Sequence, residues 1–227
     1  MIEPVVLSEL EADVPISAFE QWAHALCGRY LDSPSLRQHF IEKRGVSKVL
    51  QDELLPLARM AAVLASSGTA GRLQMFPRRD RSYDAQRLDA QGRAVETIEI
   101  TVACNGYRDA IAAETLLKHR YAPLYSDIPS EGTRRSRSIP APSLVSLSAS
   151  DMVEEVIELI RVVIQKKVDQ EVEERDTLLV AFDDFRLLSV EDFERVSGAF
   201  PLRPRGFTRF YLLGLGGNFR HALTDEA

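Results

Sequence analysis

The chain has 227 residues, 45% of them hydrophobic and 27% charged, and a formal net charge of −6. This balance excludes a disordered or strongly basic polypeptide and leaves local basic patches as the only places for a polyanion. Two cysteines, Cys27 and Cys104, stand far apart with no C-x-x-C and no Cys/His cluster, which argues against a structural zinc site.

Met1-Ile2-Glu3-Pro4 lacks the basic and apolar regions of a signal peptide. No apolar run approaches the ~20 residues that span a bilayer. The expected location is cytoplasmic, with no membrane partner.

In chain order, residues 17–31 predict a helix with Phe19, Trp22, Ala23 and Leu26 on one stripe. Ser33-Pro34-Ser35 breaks it, and residues 35–44 and 46–66 give further helical pattern. Pro56 lies inside the second of these and predicts a kink or a restart. After Gly71 the period changes. Segments 73–76, 82–88 and 93–103 read as strands, the last two joined by a hairpin turn at Asp89-Ala90-Gln91-Gly92.

A helix is expected over 107–119, then a Pro/Ser/Arg-rich stretch that predicts an irregular loop. Ser150-Asp151 caps the longest helix, drawn to about Glu174, with an apolar stripe from Val153 to Val172. Leu178–Phe182 is a continuous apolar run, as expected of a buried central strand. A helix over 190–199 and a strand over 207–213 complete the pattern. Asp183-Asp184 and Gly214-Leu215-Gly216-Gly217 read as turns.

Helix-covered strands in this order predict an α/β (α+β) fold of three layers around a mixed sheet. Residues 1–35 are expected to form an N-terminal helical extension, and residues 36–227 the core domain. The five strand segments are expected to share one sheet.

The hairpin carries the candidate chemistry. Glu99 and Thr101 point to one face of their strand, because strand side chains alternate. If the turn pairs Asp89 with Gly92, Asp84 falls opposite Thr97 and Glu99 opposite Ser82. Asp84 and Glu99 are then same-face diagonal neighbours, roughly 7–8 Å apart at the backbone. Two such carboxylates suit a hard cation, and phosphodiester hydrolysis needs one to neutralise the phosphate and activate water.

An acidic residue on one hairpin strand, Glu-x-polar on the next and a helix after it resembles the PD-(D/E)xK nuclease superfamily. The resemblance runs from about Leu50 to Leu213. It implies a restriction-endonuclease-like core, Mg²⁺ or Mn²⁺ held by Asp84 and Glu99, a supporting Glu53 from the upstream helix, and DNA or RNA as substrate. Thr101 stands where that family carries its lysine, and Tyr83 where it often carries proline. Either a lysine or arginine from elsewhere in the chain then supplies the cation, or catalysis is weak or lost. A catalytically inactive interaction module that keeps the fold is the alternative.

Arg78, Arg79 and Arg81 beside the hairpin, and Arg134, Arg135 and Arg137 in the Pro/Ser/Arg-rich stretch, are the candidate phosphate contacts. The same arginines also suit an edge strand's protective charge or a solvated loop.

Overall fold

A computed structural model describes residues 5–78, 81–120, 148–170, 175–200 and 202–223. The Pro/Ser/Arg-rich stretch, with Arg134, Arg135 and Arg137, lies outside these residues, as does Arg79.

The chain opens with a short helix α1 (Leu7–Leu10), strand β1 (Val14–Pro15) and helix α2 (Ile16–Leu31). Helices α3 (Pro34–Ile41) and α4 (Val46–Val49) lead into a π-helical turn, Leu50–Leu54, and then α5 (Leu55–Ser66). Strands β2 (Arg72–Met75), β3 (Ala85–Leu88) and β4 (Ala94–Ala103) follow, then α6 (Gly106–His119) and α7 (Ala149–Val168). Strand β5 (Arg175–Phe182), α8 (Val190–Ala199), β6 (Phe207–Gly214) and β7 (Arg220–Leu223) complete the order.

Among the described residues the strands form one seven-stranded sheet in sequential order from β1 to β7. Its first four strands are antiparallel, β4, β5 and β6 are parallel, and β7 returns antiparallel to β6. The architecture is therefore α/β with a mixed sheet flanked by helices, and the five expected strand segments do share it. β3 is shorter than expected, starting at Ala85 rather than Ser82. α7 ends at Val168, short of Glu174.

Alternation along β4 and its parallel neighbours divides the core into two layers. Ile98, Ile100, Leu179 and Tyr211 face the layer made by α2 and α5, against Phe19, Ala23, Leu57 and Met60. Leu178, Val180, Phe182 and Leu212 face the opposite layer, against Val153, Val156 and Ile160 of α7 and Val196 of α8. β1 adds to the sheet edge through Val14 opposite Leu73, so α2 and β1 are built into the same core cluster as α5.

The expected break at Pro56 takes a specific form. Proline has no N–H to donate, and its ring crowds the carbonyl four residues earlier. Here the ladder widens just before it: the Leu55 N–H donates to the Leu50 carbonyl, five residues back. The helix passes through a π-turn and continues.

Two buried carboxylates hold the sheet. Asp184, in a 3-10 turn after β5, accepts from the backbone N–H groups of Gly216 (2.6 Å), Asn218 (2.9 Å) and Phe219 (3.1 Å). The turn expected at Gly214–Gly217 is thus pinned by a side chain from the turn that follows the neighbouring strand. A Cβ at Gly214 would collide with that carboxylate.

Glu96 of β4 is ion-paired with Arg87 of β3 (2.6 Å) and Arg209 of β6 (2.9 Å), and accepts from the Thr177 hydroxyl of β5. One carboxylate therefore ties four strands. Removing it leaves the buried part of Arg87 and the Thr177 hydroxyl without their acceptor. Glu96→Ala is expected to lower the unfolding free energy by about 3 kcal/mol, read by urea denaturation. A loss below about 0.5 kcal/mol would show that the pairs are screened by solvent.

Candidate active site

The site is set by how β3 meets β4. Ala85 lies opposite Ile98, Gln86 opposite Thr97 and Arg87 opposite Glu96, while Leu88 pairs with Ala94 across a bulge. The loop is one residue longer than expected, with the Asp89 N–H donating to the Arg93 carbonyl (2.9 Å). The longer loop and the bulge each shift the register by one. One shift would turn Ala85 to the opposite face, and two restore it.

The outcome corrects the expected pairing. Asp84 lies just outside the ladder, before Ala85, which pairs with Ile98. Its N–H donates to the Ile98 carbonyl (3.0 Å) and its carboxylate takes the Ile100 N–H (2.8 Å), so it sits beside Ile98–Ile100 rather than opposite Thr97.

β3 begins at Ala85, so β4 runs on beyond Ile98 with no strand of β3 beside it. A cleft of about 380 Å³ opens along that free edge. Its lining includes Lys48, Asp52 and Glu53 from α4 and the π-turn, Arg81 and Asp84 from the β2–β3 connection, Glu99 and Thr101 from β4, and Lys167 from α7. The four residues expected to form the site, Glu53, Asp84, Glu99 and Thr101, are therefore brought together.

Glu99 is 6% exposed and Glu53 7%. Burial of a charged carboxylate is costly unless a partner compensates it. For Glu99 the partner is Lys167, whose ammonium forms an ion pair with Glu99 Oε1. Lys167 lies in the last turn of α7, the helix that covers the face to which Glu99 and Thr101 point. Its only sequence signal was a cationic helix end, which is common on any solvated helix.

Of the expected phosphate contacts, Arg81 lines the cleft, with its guanidinium 4.4 Å from the Phe76 ring centroid and donating to the Tyr83 hydroxyl (3.0 Å). Arg78 instead pairs with Glu11 (2.7 Å).

Among the described residues no group of three His, Cys, Asp or Glu side chains is arranged to hold a metal ion by itself. Mg²⁺ is often bound through only one or two carboxylates, with water and substrate phosphate completing the shell. Asp84 and Glu99, two oxygen donors on the lining of one cleft, fit that more open kind of site.

Cys104 lines the cleft beyond Thr101. Burial, then the nearby Asp109 charge, pushes its thiol up to about 11. Thiolate is the reactive form, so Cys104 is not a poised nucleophile. Its alkylation by iodoacetamide should be far slower than that of a free thiol at pH 8, and should rise toward a midpoint about 11. A midpoint below 9 would show that the thiol is not held in a desolvated setting.

No protein-family model matches this chain, and neither does any curated protein or solved structure. No helix among the described residues is long and apolar enough to cross a membrane.

Proposed function

We propose that the cleft is the site of a divalent-metal-dependent phosphodiesterase acting on DNA or RNA, with a restriction-endonuclease-like core. The observation that carries this reading is Lys167. The PD-(D/E)xK resemblance requires a lysine beside the second carboxylate, Thr101 stands in its sequence position, and Lys167 reaches Glu99 from α7 instead. The element order supports it as well: an acid ahead of β3, Glu99 on β4, then helices and two parallel strands.

In this reading Asp84 and Glu99 hold Mg²⁺ or Mn²⁺, which supplies Lewis acidity and a water of lowered pKa when bound. Glu53 adds negative charge from the π-turn side of the same cleft. Lys167 neutralises Glu99 in the free protein and is placed to orient water or to stabilise charge that develops on the phosphate. Arg81 and Lys48, on the cleft wall, give the phosphate backbone a cationic approach.

A second reading rests on the same geometry. The Asp84 carboxylate accepts a backbone N–H of β4, and Glu99 is paired with Lys167. Both interactions serve the fold without chemistry, as in an interaction module that has lost activity.

Two measurements separate the readings. With Mg²⁺ or Mn²⁺ the chain is expected to gain thermal stability, because a ligand of the folded state alone stabilises it, and to cleave single- or double-stranded DNA or RNA. Asp84→Asn should abolish both effects. Lys167→Met should lower cleavage about 10²-fold or more, with Lys167→Arg milder. Thr101 shares the face of Glu99 two residues on, so Thr101→Lys should restore activity to the Lys167→Met chain. Absence of both metal stabilisation and cleavage would overturn the phosphodiesterase reading and leave the interaction module in the lead.

A further inference from the structure

A second cavity, of about 320 Å³, adjoins the cleft at the carboxyl ends of the parallel strands. Ala103 of β4, Phe182 of β5 and Leu215 just after β6 form its floor, and Val156 and Leu159 of α7 form an apolar wall. Crevices outside the carboxyl ends of parallel strands are the usual ligand sites of α/β sheets. Val102 and Cys104 line both this cavity and the cleft. A 2.8 Å ion pair also bridges them, from Lys43 on this cavity to Asp52 on the cleft.

Its rim carries an unusual feature. Phe185 lines the cavity yet is 63% exposed, so most of its ring is offered to solvent rather than to the core. Polar residues line the same space: Asn105, which caps α6, Asp183, which caps the 3-10 turn, Asp109, and Lys43, which pairs with Asp52. An apolar slot of roughly 300 Å³ or more with a few convergent polar groups suits a small planar ligand. An exposed aromatic face suits stacking, and mixed donors and acceptors suit the edge of a nucleobase.

We infer that this cavity receives a nucleobase of a single-stranded nucleic acid whose backbone phosphate lies in the neighbouring cleft. The inference rests on the phosphodiesterase reading and narrows its substrate class. A base paired inside a duplex presents no free face to Phe185. The strand must therefore be single, or the nucleotide must be turned out of its helix.

The test is binding of the full chain, in Ca²⁺ in place of Mg²⁺, to a fluorescein-labelled oligodeoxyadenosine strand. The comparisons are an abasic strand of equal length and the corresponding duplex. The intact strand is expected to bind more tightly than either. Phe185→Ala removes the stacking face, and Leu159→Trp fills the cavity from α7. Each should weaken binding of the intact strand about tenfold and leave the abasic strand unchanged.

Equal affinity of the parent for intact and abasic strands, or parent-like binding by both variants, would overturn the subsite. Base-dependent binding without metal-dependent cleavage would keep the subsite and remove only hydrolysis. Metal-dependent cleavage with no base-dependent binding would keep hydrolysis and remove the subsite.

Discussion

The arrangement depends on the register between β3 and β4. In a strand pair every side chain obeys a parity of two, so any odd slip exchanges the faces of the sheet. The loop at Asp89–Arg93 and the bulge between the Arg87–Glu96 and Leu88–Ala94 pairs are each an odd step, and together they make an even one. Glu96 then meets Arg87, Ile98 enters the α2/α5 layer, and Glu99 turns toward α7, where Lys167 meets it. Losing either step would carry Ala85 out of the α2/α5 layer that it shares with Ile98.

How the chain compensates buried charge explains much of the rest. Glu96 has two arginines, Glu99 has a lysine, and Asp184 has three backbone N–H groups. These solutions sit in different places. The arginine-paired Glu96 joins neighbouring strands through the sheet, and the N–H cage of Asp184 shapes the β6–β7 turn. The lysine-paired Glu99 borders open space, where an ion pair can exchange partners with an incoming anion or cation. That difference in access, rather than burial alone, sets Glu99 apart from the two carboxylates that only hold the sheet.

Much of this was legible in the sequence because it rests on apolar periodicity. The helices over 16–31, 106–119 and 190–199 and the strands of the parallel core follow stripes or runs that need no distant partner to be recognised. That Asp84, Glu99, Thr101 and Glu53 would lie near one another was legible too, and all four line one cleft although the expected hairpin register was off by two. What was not legible depends on contacts far apart in sequence. Val14–Pro15 is a strand only because Leu73 and Arg72 lie beside it, and Arg220–Leu223 only because the Asp184-caged turn returns the chain along β6. The bulge leaves no local composition signal. Lys167 is 68 residues from Glu99, and nothing near it in sequence tells it from Lys166.

The π-turn before Pro56 has a consequence for how this sequence can change. Its five-residue closure is equivalent to one extra residue wound into an otherwise α-helical path. Deleting a single residue between Leu50 and Leu54 would let the ladder close at four. The extra residue is absorbed within the turn, so everything on the N-terminal side of the deletion would keep its angle relative to α5, with Lys48 still on the cleft and Leu50 still in the core. An α-helix advances about 100° per residue, so the same deletion inside α5 would instead swing one wall of the cleft by that angle. A single-residue deletion is therefore better tolerated at this turn than anywhere in the regular helix after it.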